Sequence, residues 1–375
     1  MKKKAILVSC FDWYANRLIY IERYLIEKGY EVEILLSDFN HSEKKKKKDY
    51  SQKQNIQYIS VPEYKRNVSL KRIYSHLVFS KKVTKKIVLG NPDFVYALVP
   101  PNLLVKELSK LKRKNNYKLV YDIIDMWPES FPKGNSNIFP FTLWKKMRDK
   151  DLNKADLVFL ECDYYRDKIK KVVDKEKLHN FYLVKNGIPN YEPPQKEIYD
   201  SIKLCYLGSI NSLIDIQKSQ EIIKALVKIK PVTIDIIGRG SSTEQFIAAL
   251  EDAGATVKYH GAIYDMNTKV KVLSECHFGI NIYKPNLAIG LTIKSIDYFM
   301  MGIPIINSIK GDTFELVKEY NIGFNLDEIE KIEEKLNDIN IMSKNAYHVF
   351  KEFFDEENVF KQIKSLESLL SVESN

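Results

Sequence analysis

Lys4-Ala5-Ile6-Leu7-Val8-Ser9-Cys10 is a short apolar run; Asn16 to Lys28 follows with helical spacing, then Gly29, then Glu31-Val32-Glu33-Ile34-Leu35-Leu36. The first run reads as a buried strand, the second as an amphipathic helix stopped at Gly29, and the third as another strand. Strand, helix, strand is a βαβ opening, and its strands are parallel because the helix carries the chain back across the sheet. Working outward, further strands are expected at Gln57 to Val61, Phe94 to Val99, Lys118 to Ile123, Leu157 to Leu160 and Phe181 to Val184. Helical stretches separate most of them, so the first half reads as a doubly wound parallel sheet.

Turn signals then crowd together at Lys185-Asn186-Gly187-Ile188-Pro189-Asn190, with Pro193-Pro194 beyond them. A domain boundary belongs there. The alternation restarts with strands at Lys203 to Leu207, Thr233 to Ile237, near Val257 and at Phe278 to Ile282, with helices near Gln217 to Val227 and Glu244 to Ala253. The expected organisation is an N-terminal Rossmann-like domain over 1–188, a second over 189–345, and a C-terminal segment, 346–375. In that last segment Phe350, Phe353, Phe354, Val359, Ile363 and Leu366 recur at helical spacing. The fold class is α/β.

The 375 residues, 45% of them hydrophobic, suffice for two cores and exclude a disordered or disulfide-stapled chain. The net charge of +10 is unevenly placed. Basic residues exceed acidic ones by 17 over 1–190, and acidic residues exceed basic ones by 7 over the remainder. The first half is therefore expected to meet an anionic partner. The run Lys44-Lys45-Lys46-Lys47-Lys48 is read as part of a solvated loop, with contact to an anionic membrane surface as the sharper alternative. Cys10, Cys162, Cys205 and Cys276 are scattered, without disulfide or zinc spacing, which suits a reducing cytoplasm. Lys2 to Cys10 superficially resembles a lipoprotein leader, but its apolar stretch is shorter than the roughly 7–15 residues of such a segment. No uncharged run reaches the roughly 18–20 residues of a membrane span, so any membrane contact is expected to be peripheral.

Three glycine-bearing turns follow strands in the second half: Leu207-Gly208-Ser209-Ile210, Ile237-Gly238-Arg239-Gly240, and Gly290-Leu291-Thr292. Glycine lets the backbone approach a phosphate, and a following helix N-terminus adds partial positive charge. The pair Gly238 and Gly240 lacks the third glycine of a dinucleotide fingerprint, so it reads equally as a plain strand-to-helix turn. The third turn is more informative. Thr292 is placed to N-cap a helix from Ile293 to Met301 that stops at Gly302, with Lys294 in its first turn and Asp297 three residues later. Such a helix start suits a diphosphate, and the carboxylate suits a ribose diol.

The run from Gly290 to Ile306, Gly-Leu-Thr-Ile-Lys-Ser-Ile-Asp-Tyr-Phe-Met-Met-Gly-Ile-Pro-Ile-Ile, resembles the donor-site signature of GT-B glycosyltransferases of the family 4 type. Val184-Lys185-Asn186-Gly187-Ile188, Tyr206-Leu207-Gly208-Ser209 and Ile236-Ile237-Gly238-Arg239-Gly240 are similar to further motifs of that family. Tyr121-Asp122-Ile123-Ile124-Asp125-Met126-Trp127-Pro128-Glu129-Ser130 resembles the acceptor-side loop of its capsule and O-antigen branch. The resemblance implies two Rossmann-like domains facing a cleft, and a C-terminal helix returning to the first. Asp297 takes the place of the ribose-binding Glu; Gly290, Leu291, Thr292 and Lys294 lie beside the diphosphate, as do Gly208 and Ser209. Ile289 stands where the family has its first Glu, Ser209 where many members have Arg, Ile124 where a His is frequent, and Phe11-Asp12-Trp13-Tyr14 where a Gly-rich turn is usual. Lys284 and Arg239 are the candidates for the missing positive charge.

Asp125 is the candidate for contact with the acceptor hydroxyl or for its base, with Asp122 and then Glu129 as further options. A turn cap remains open for Asp125, and Trp127 suits either a sugar-stacking platform or a core anchor. No metal-ligand cluster is visible, and the resemblance implies metal independence with no cofactor beyond the donor. His76, His179, His260, His277 and His348 are expected to be structural, and the tyrosines form no stacking code for nucleic acid. The expected activity is transfer of a sugar from a nucleotide-sugar donor, UDP-linked, to a polyprenyl-diphosphate-linked saccharide. Retention of configuration, surface-polysaccharide assembly, and a place on the inner face of the plasma membrane are what the resemblance implies. A non-catalytic GT-B subunit and a nucleotide-sugar epimerase are the alternatives.

Overall fold

The computed structural model describes residues 2–11, 15–41, 43–48, 53–67, 69–130, 139, 141–198, 200–285 and 287–370. Residues 12–14 of the turn after the first strand lie outside the described residues. The chain divides into two compact units: Met1–Leu183 with Val359–Asn375, and Val184–Asn358. The expected third segment is thus split, 346–358 staying with the second unit and 359–375 joining the first.

The first unit contains strands β1 (Lys4–Ser9), β2 (Glu31–Ser37), β3 (Phe39–Asn40), β4 (Lys45–Lys46), β5 (Ile56–Ile59), β6 (Phe94–Val99), β7 (Lys118–Ile123), β8 (Leu157–Leu160) and β9 (Leu178–Asn180). Its helices begin with α1 (Ala15–Glu27), α2 (Leu70–Gly90), α3 (Asn102–Lys112), α4 (Phe141–Leu152) and α5 (Asp163–Ile169). Seven of the strands form one parallel sheet in the order β5-β2-β1-β6-β7-β8-β9. Every residue of β6 is buried, as befits a strand covered on both faces. The last strand falls three residues earlier than expected, because Leu178 to Asn180 pairs with β8 while Phe181 turns into the core.

The second unit repeats the winding with β10 (Ile202–Leu207), β11 (Val232–Ile237), β12 (Thr256–Tyr259), β13 (Phe278–Asn281), β14 (Ile305–Asn307) and β15 (Gly323–Asn325). These form a parallel sheet ordered β12-β11-β10-β13-β14-β15. Helices α6 (Ile216–Val227), α7 (Thr243–Asp252), α8 (Met266–Leu273), α9 (Ile293–Met300), α10 (Asp312–Tyr320), α11 (Ile332–Lys335) and α12 (Ile339–Val349) pack around it. Its core centres on Tyr206, Phe246, Phe278 and Phe324, all nearly inaccessible. Each such side chain contributes about 1.5–3 kcal/mol by burial.

Both sheets reverse direction once, between β1 and β6 and between β10 and β13. At such a point two neighbouring connections leave in opposite directions and open a crevice beyond the carboxyl ends of the strands, where ligands bind. The C-terminal helical segment is interrupted. After α12 a wide turn over Phe350–Phe354 ends at Asp355, whose extended backbone (ψ 138°) stops the helix. Asp355 instead forms a bridge with Lys185. Helices α13 (Val359–Ser365) and α14 (Glu367–Leu370) follow in the first unit.

Within the Lys44 to Lys48 loop, Lys45 and Lys46 form a short strand: β3 and β4 pair as an antiparallel hairpin, Phe39 opposite Lys46 and Asn40 opposite Lys45. The Lys46 ammonium anchors it, donating to both Asp38 carboxylate oxygens at 2.6 Å and to the Val61 carbonyl. Lys44 donates to Asn67, Lys45 pairs with Glu43 at 2.9 Å, and the Lys47 ammonium lies 5.3 Å from the centre of the Tyr58 ring. Lys48 is exposed.

Candidate active site

In the second unit, β10 and β11 end in adjacent turns that interlock. Gly208 N–H donates to the Ile237 carbonyl at 2.9 Å, and Ile210 N–H to the Arg239 carbonyl at 3.2 Å. A Cβ on Gly238 would stand 1.9 Å from the Gly208 carbonyl oxygen, and one on Gly240 would stand 2.0 Å from that of Ile210. Gly238 also has φ +157°. Packing of turn against turn therefore accounts for both glycines. Arg239 is exposed and donates to the Tyr264 hydroxyl at 3.3 Å. Ser209 is exposed, its carbonyl accepting from the Tyr206 hydroxyl at 2.8 Å, and Lys284 is exposed just past β13. Ser209, Arg239 and Lys284 thus lie in the connections that leave the carboxyl ends of β10, β11 and β13.

Helix α9 starts beside them. Thr292 caps it, its hydroxyl oxygen accepting from Ser295 N–H at 3.2 Å. Gly290 is fixed by its carbonyl, which accepts from Thr313 N–H at 2.8 Å and from the Thr313 hydroxyl at 2.7 Å. Leu291 is half-buried between them. The Thr292 hydroxyl also donates to Asn281 Oδ1, the first member of a buried ladder. Asn281 Nδ2 donates to Asn307 at 2.9 Å, and Asn307 Nδ2 to Asn325 at 2.8 Å. One asparagine from each of β13, β14 and β15 thus links the helix cap to the sheet. At the far end, Gly302 (φ +60°) closes α9, with Ile303 N–H donating to the Tyr298 carbonyl at 2.8 Å. Tyr298 lies across the sheet where Gly279 leaves room: a Cβ on Gly279 would come within 2.7 Å of the Tyr298 ring.

Lys294 is 6% exposed, and its ammonium has no hydrogen-bond partner among the described residues. It lies 4.4 Å from the ring centres of both Tyr206 and Tyr283. Burial pushes its pKa down to about 7. Asp297, one turn further along, is 5% exposed and accepts a hydrogen bond from Lys185. Lys185 is itself fixed by its backbone, donating N–H to the Phe354 carbonyl at 2.8 Å. Sequence reasoning singled out neither Tyr206, Tyr283 nor the Lys185 ammonium as site groups. Lys185 stands in the quoted linker motif, but nothing in spacing alone aims its side chain at Asp297.

In the first unit Asp122 is inaccessible. Its carboxylate accepts a bidentate pair from Arg17, 3.0 Å for the Nη2 branch, and Oδ2 also accepts from the Tyr96 hydroxyl at 2.6 Å. Both oxygens are thereby committed within the fold. Asp125, two residues beyond β7, is half-buried and accepts from Trp127 Nε1 at 2.5 Å. Burial raises its pKa against the opposing pull of hydrogen bonds from Ser130 and Trp127. Glu129 accepts from Arg148 at 2.8 and 3.2 Å and pairs with Lys145 at 3.3 Å. Burial pushes Glu129 up, but Arg148 outweighs it and holds the carboxyl below its ordinary value. Trp127 is 6% exposed, with edge-on contacts to Phe11 and Trp144 and a stacked contact to His76. Among the described residues no group of three His, Cys, Asp or Glu is placed to hold a metal ion. Among the described residues, too, no helix is long and apolar enough to cross a membrane.

Two parallel-sheet, Rossmann-like units of seven and six strands constitute the architecture of the GT-B glycosyltransferases. No family model and no curated protein sequence matches the chain. Solved structures do. Anabaena Alr3699/HepE in complex with UDP is similar with a TM-score of 0.64 at 17% identity, over 98% of this chain and 99% of that one. Sucrose-phosphate synthase from Thermosynechococcus elongatus has a TM-score of 0.70 at 13% identity, over 98% and 99%. The lipopolysaccharide outer core galactosyltransferase WaaB, in its apo form, has 0.66 at 13%, over 98% and 99%. At such identities the likeness establishes the GT-B fold.

Proposed function

We propose that this chain is a glycosyltransferase of the family 4 type that moves a sugar from a UDP-sugar to a polyprenyl-diphosphate-linked saccharide. It works with retention of configuration in bacterial surface-polysaccharide assembly, on the cytoplasmic face of the plasma membrane and without a metal cofactor. The observation that carries this reading is the start of α9: a capped helix N-terminus with a buried, unpartnered Lys294 and with Asp297 on the next turn. An unpaired buried ammonium is costly in the free protein and is relieved by an anion. The first-turn N–H groups and Lys294 take the diphosphate, and Asp297 takes the ribose hydroxyls in exchange for its bond to Lys185.

As the donor bond breaks, negative charge accumulates on the departing UDP. Donors already fixed there stabilise that state without reorganising, and the Asn281, Asn307 and Asn325 ladder holds the cap in place. Lys284 and Arg239, both exposed, supply further positive charge. Asp125 receives the acceptor hydroxyl; Trp127 packs beside it and Glu129 is held by Arg148. The exposed lysines of the hairpin, Lys45 and Lys48, face an anionic membrane surface. UDP affinity and sugar transfer to an added lipid-linked acceptor test the reading. Asp297→Ala is expected to weaken UDP binding and to lower transfer at least a hundredfold; full activity with unchanged UDP affinity would sink it. Transfer also separates this enzyme from a binding subunit or an epimerase.

A further inference from the structure

Four connections at the carboxyl edge of the first sheet bring one cluster together: Phe11 after β1, His41 after β2, Tyr64 after β5, and Asp125 with Trp127 after β7. Helix α2 adds Arg72 and His76 from its first two turns. Four residues apart, they share one helix face. Neither was singled out by sequence reasoning as a site residue.

Arg72 is 1% exposed, its guanidinium carbon lying 3.8 Å from the centre of the Trp127 ring; Nη1 donates to the Asn67 carbonyl at 2.8 Å. His76 is 2% exposed and stacked on the same indole at 6.0 Å, and its Nε2 has no hydrogen-bond partner among the described residues. A buried ring nitrogen left unpaired weakens the fold. That cost is maintained beside a guanidinium, in the crevice region of a sheet whose winding reverses at β1 and β6.

We propose that Arg72 and His76 form the seat for an oxyanion carried by the acceptor, a phosphate or a carboxylate next to the hydroxyl that reacts at Asp125. The proposal rests on the acceptor reading of Asp125 given above. The local field supports it. Burial and then Arg72 lower His41 to about 3, Lys44 to about 8, and His76 well below its ordinary value. Each of these bases resists a second positive charge beside the guanidinium, whereas an oxyanion is favoured there. Arg72 supplies a guanidinium of the kind that suits phosphate and carboxylate, giving up bonds that it makes in the free chain to Asn67 and Tyr64, and His76 Nε2 supplies a further polar atom. Trp127 covers the guanidinium face, so entry of the ligand moves this indole.

The test uses the full chain with saturating UDP, so that phosphate probes do not enter the donor site. Binding of inorganic pyrophosphate, of a glucuronate-terminated disaccharide and of its neutral glucose-terminated counterpart is followed by tryptophan fluorescence and calorimetry. The wild type is expected to bind one anionic probe at least tenfold more tightly than the neutral one. Preference for pyrophosphate assigns the oxyanion to a phosphate group, and preference for glucuronate to an acidic sugar. Arg72→Gln should abolish the preference while UDP affinity stays unchanged. His76→Phe keeps the ring on Trp127, removes the polar nitrogen and should reduce the preference about threefold; it serves if Arg72→Gln does not fold. A wild type without anion preference, or folded variants that retain it in full, overturns the proposal. Should no sugar transfer be found while the preference exists and is lost in Arg72→Gln, the oxyanion seat stands and the transferase reading falls.

Discussion

Asp122 and Lys294 are both buried charged groups in Rossmann-like units wound the same way, and the molecule treats them in opposite ways. Asp122 is closed on all sides, with a bidentate Arg17 and a Tyr96 hydroxyl satisfying its oxygens. Lys294 is buried too, between two tyrosine rings, without a hydrogen-bond partner among the described residues. A satisfied buried charge costs the fold little, an unsatisfied one costs it more, and on the function proposed above the second cost is relieved by the donor's diphosphate. Both stand in motifs that suggest chemistry, so residue type alone does not separate them.

The largest effect expected within this comparison belongs to Asp122. Asp122→Ala strands the Arg17 guanidinium in a site from which water is excluded, and removing one partner of a buried pair costs about 3–5 kcal/mol. Urea unfolding should show that loss together with near-normal UDP affinity in whatever fraction remains folded. Unchanged stability would mean that the Asp122 carboxylate is free for other work, and the contrast with Lys294 would disappear.

Lys294→Met gives the opposite pattern. The methionine chain fills the slot between Tyr206 and Tyr283 without burying a charge, so stability is expected to hold or rise. Affinity for UDP should fall about tenfold or more, the weight of one charge-assisted contact of about 1.5–3 kcal/mol. Thermal melts with and without UDP separate the two effects. A variant that binds UDP as the wild type does would leave the buried ammonium without a ligand to explain it.

The first sheet apart from β9, and β10 to β13 of the second, were legible in the sequence, because buried parallel strands are continuous apolar runs and Gly29 and the 185–194 turns punctuate them clearly; β14 and β15, three residues each, were not among the expected strands. The start of α9 was legible too, since Thr292 is a capping residue at the right distance from the apolar face. Partnerships were not. Asp122 meets Arg17 across 105 residues and Asp297 meets Lys185 across 112, distances over which local pattern carries no information. Gly238 illustrates the same limit: its turn read equally as a phosphate contact and as a plain strand-to-helix turn, and only the Gly208 carbonyl of the neighbouring turn shows why a glycine is required. His76 looked structural because no partner motif accompanies it in the sequence, and only the stacking on Trp127 beside Arg72 places it in a cluster.

The pH dependence of UDP binding sharpens the Lys294 side of the comparison. Its folded pKa, about 7, lies below its unfolded value, so the buried charge weakens the fold fully at pH below 7. That penalty is relieved as pH rises from about 7 towards the ordinary lysine value. A bound diphosphate favours the charged form, so UDP affinity should be highest below pH 7 and fall between pH 7 and 9, by at most roughly tenfold per unit. Calorimetric titration across that range should show the fall in the wild type and a flat profile in Lys294→Met.

The smallest effect applies the same test inside the Lys44 to Lys48 run, where one charge type again divides by its surroundings. Lys46 is tied to both Asp38 oxygens and to the Val61 carbonyl, and it thereby fastens the hairpin to the segment after β5. Lys45 is exposed and, among the described residues, pairs with an exposed Glu43. Lys46→Ala leaves the nearly buried Asp38 carboxylate without its cation and should cost about 1 kcal/mol, whereas Lys45→Ala should stay within about 0.5 kcal/mol. Paired unfolding curves decide it. Equal effects at the two positions would return the run to five equivalent surface charges; a difference would confine any membrane contact to the lysines that the hairpin does not use for its own folding.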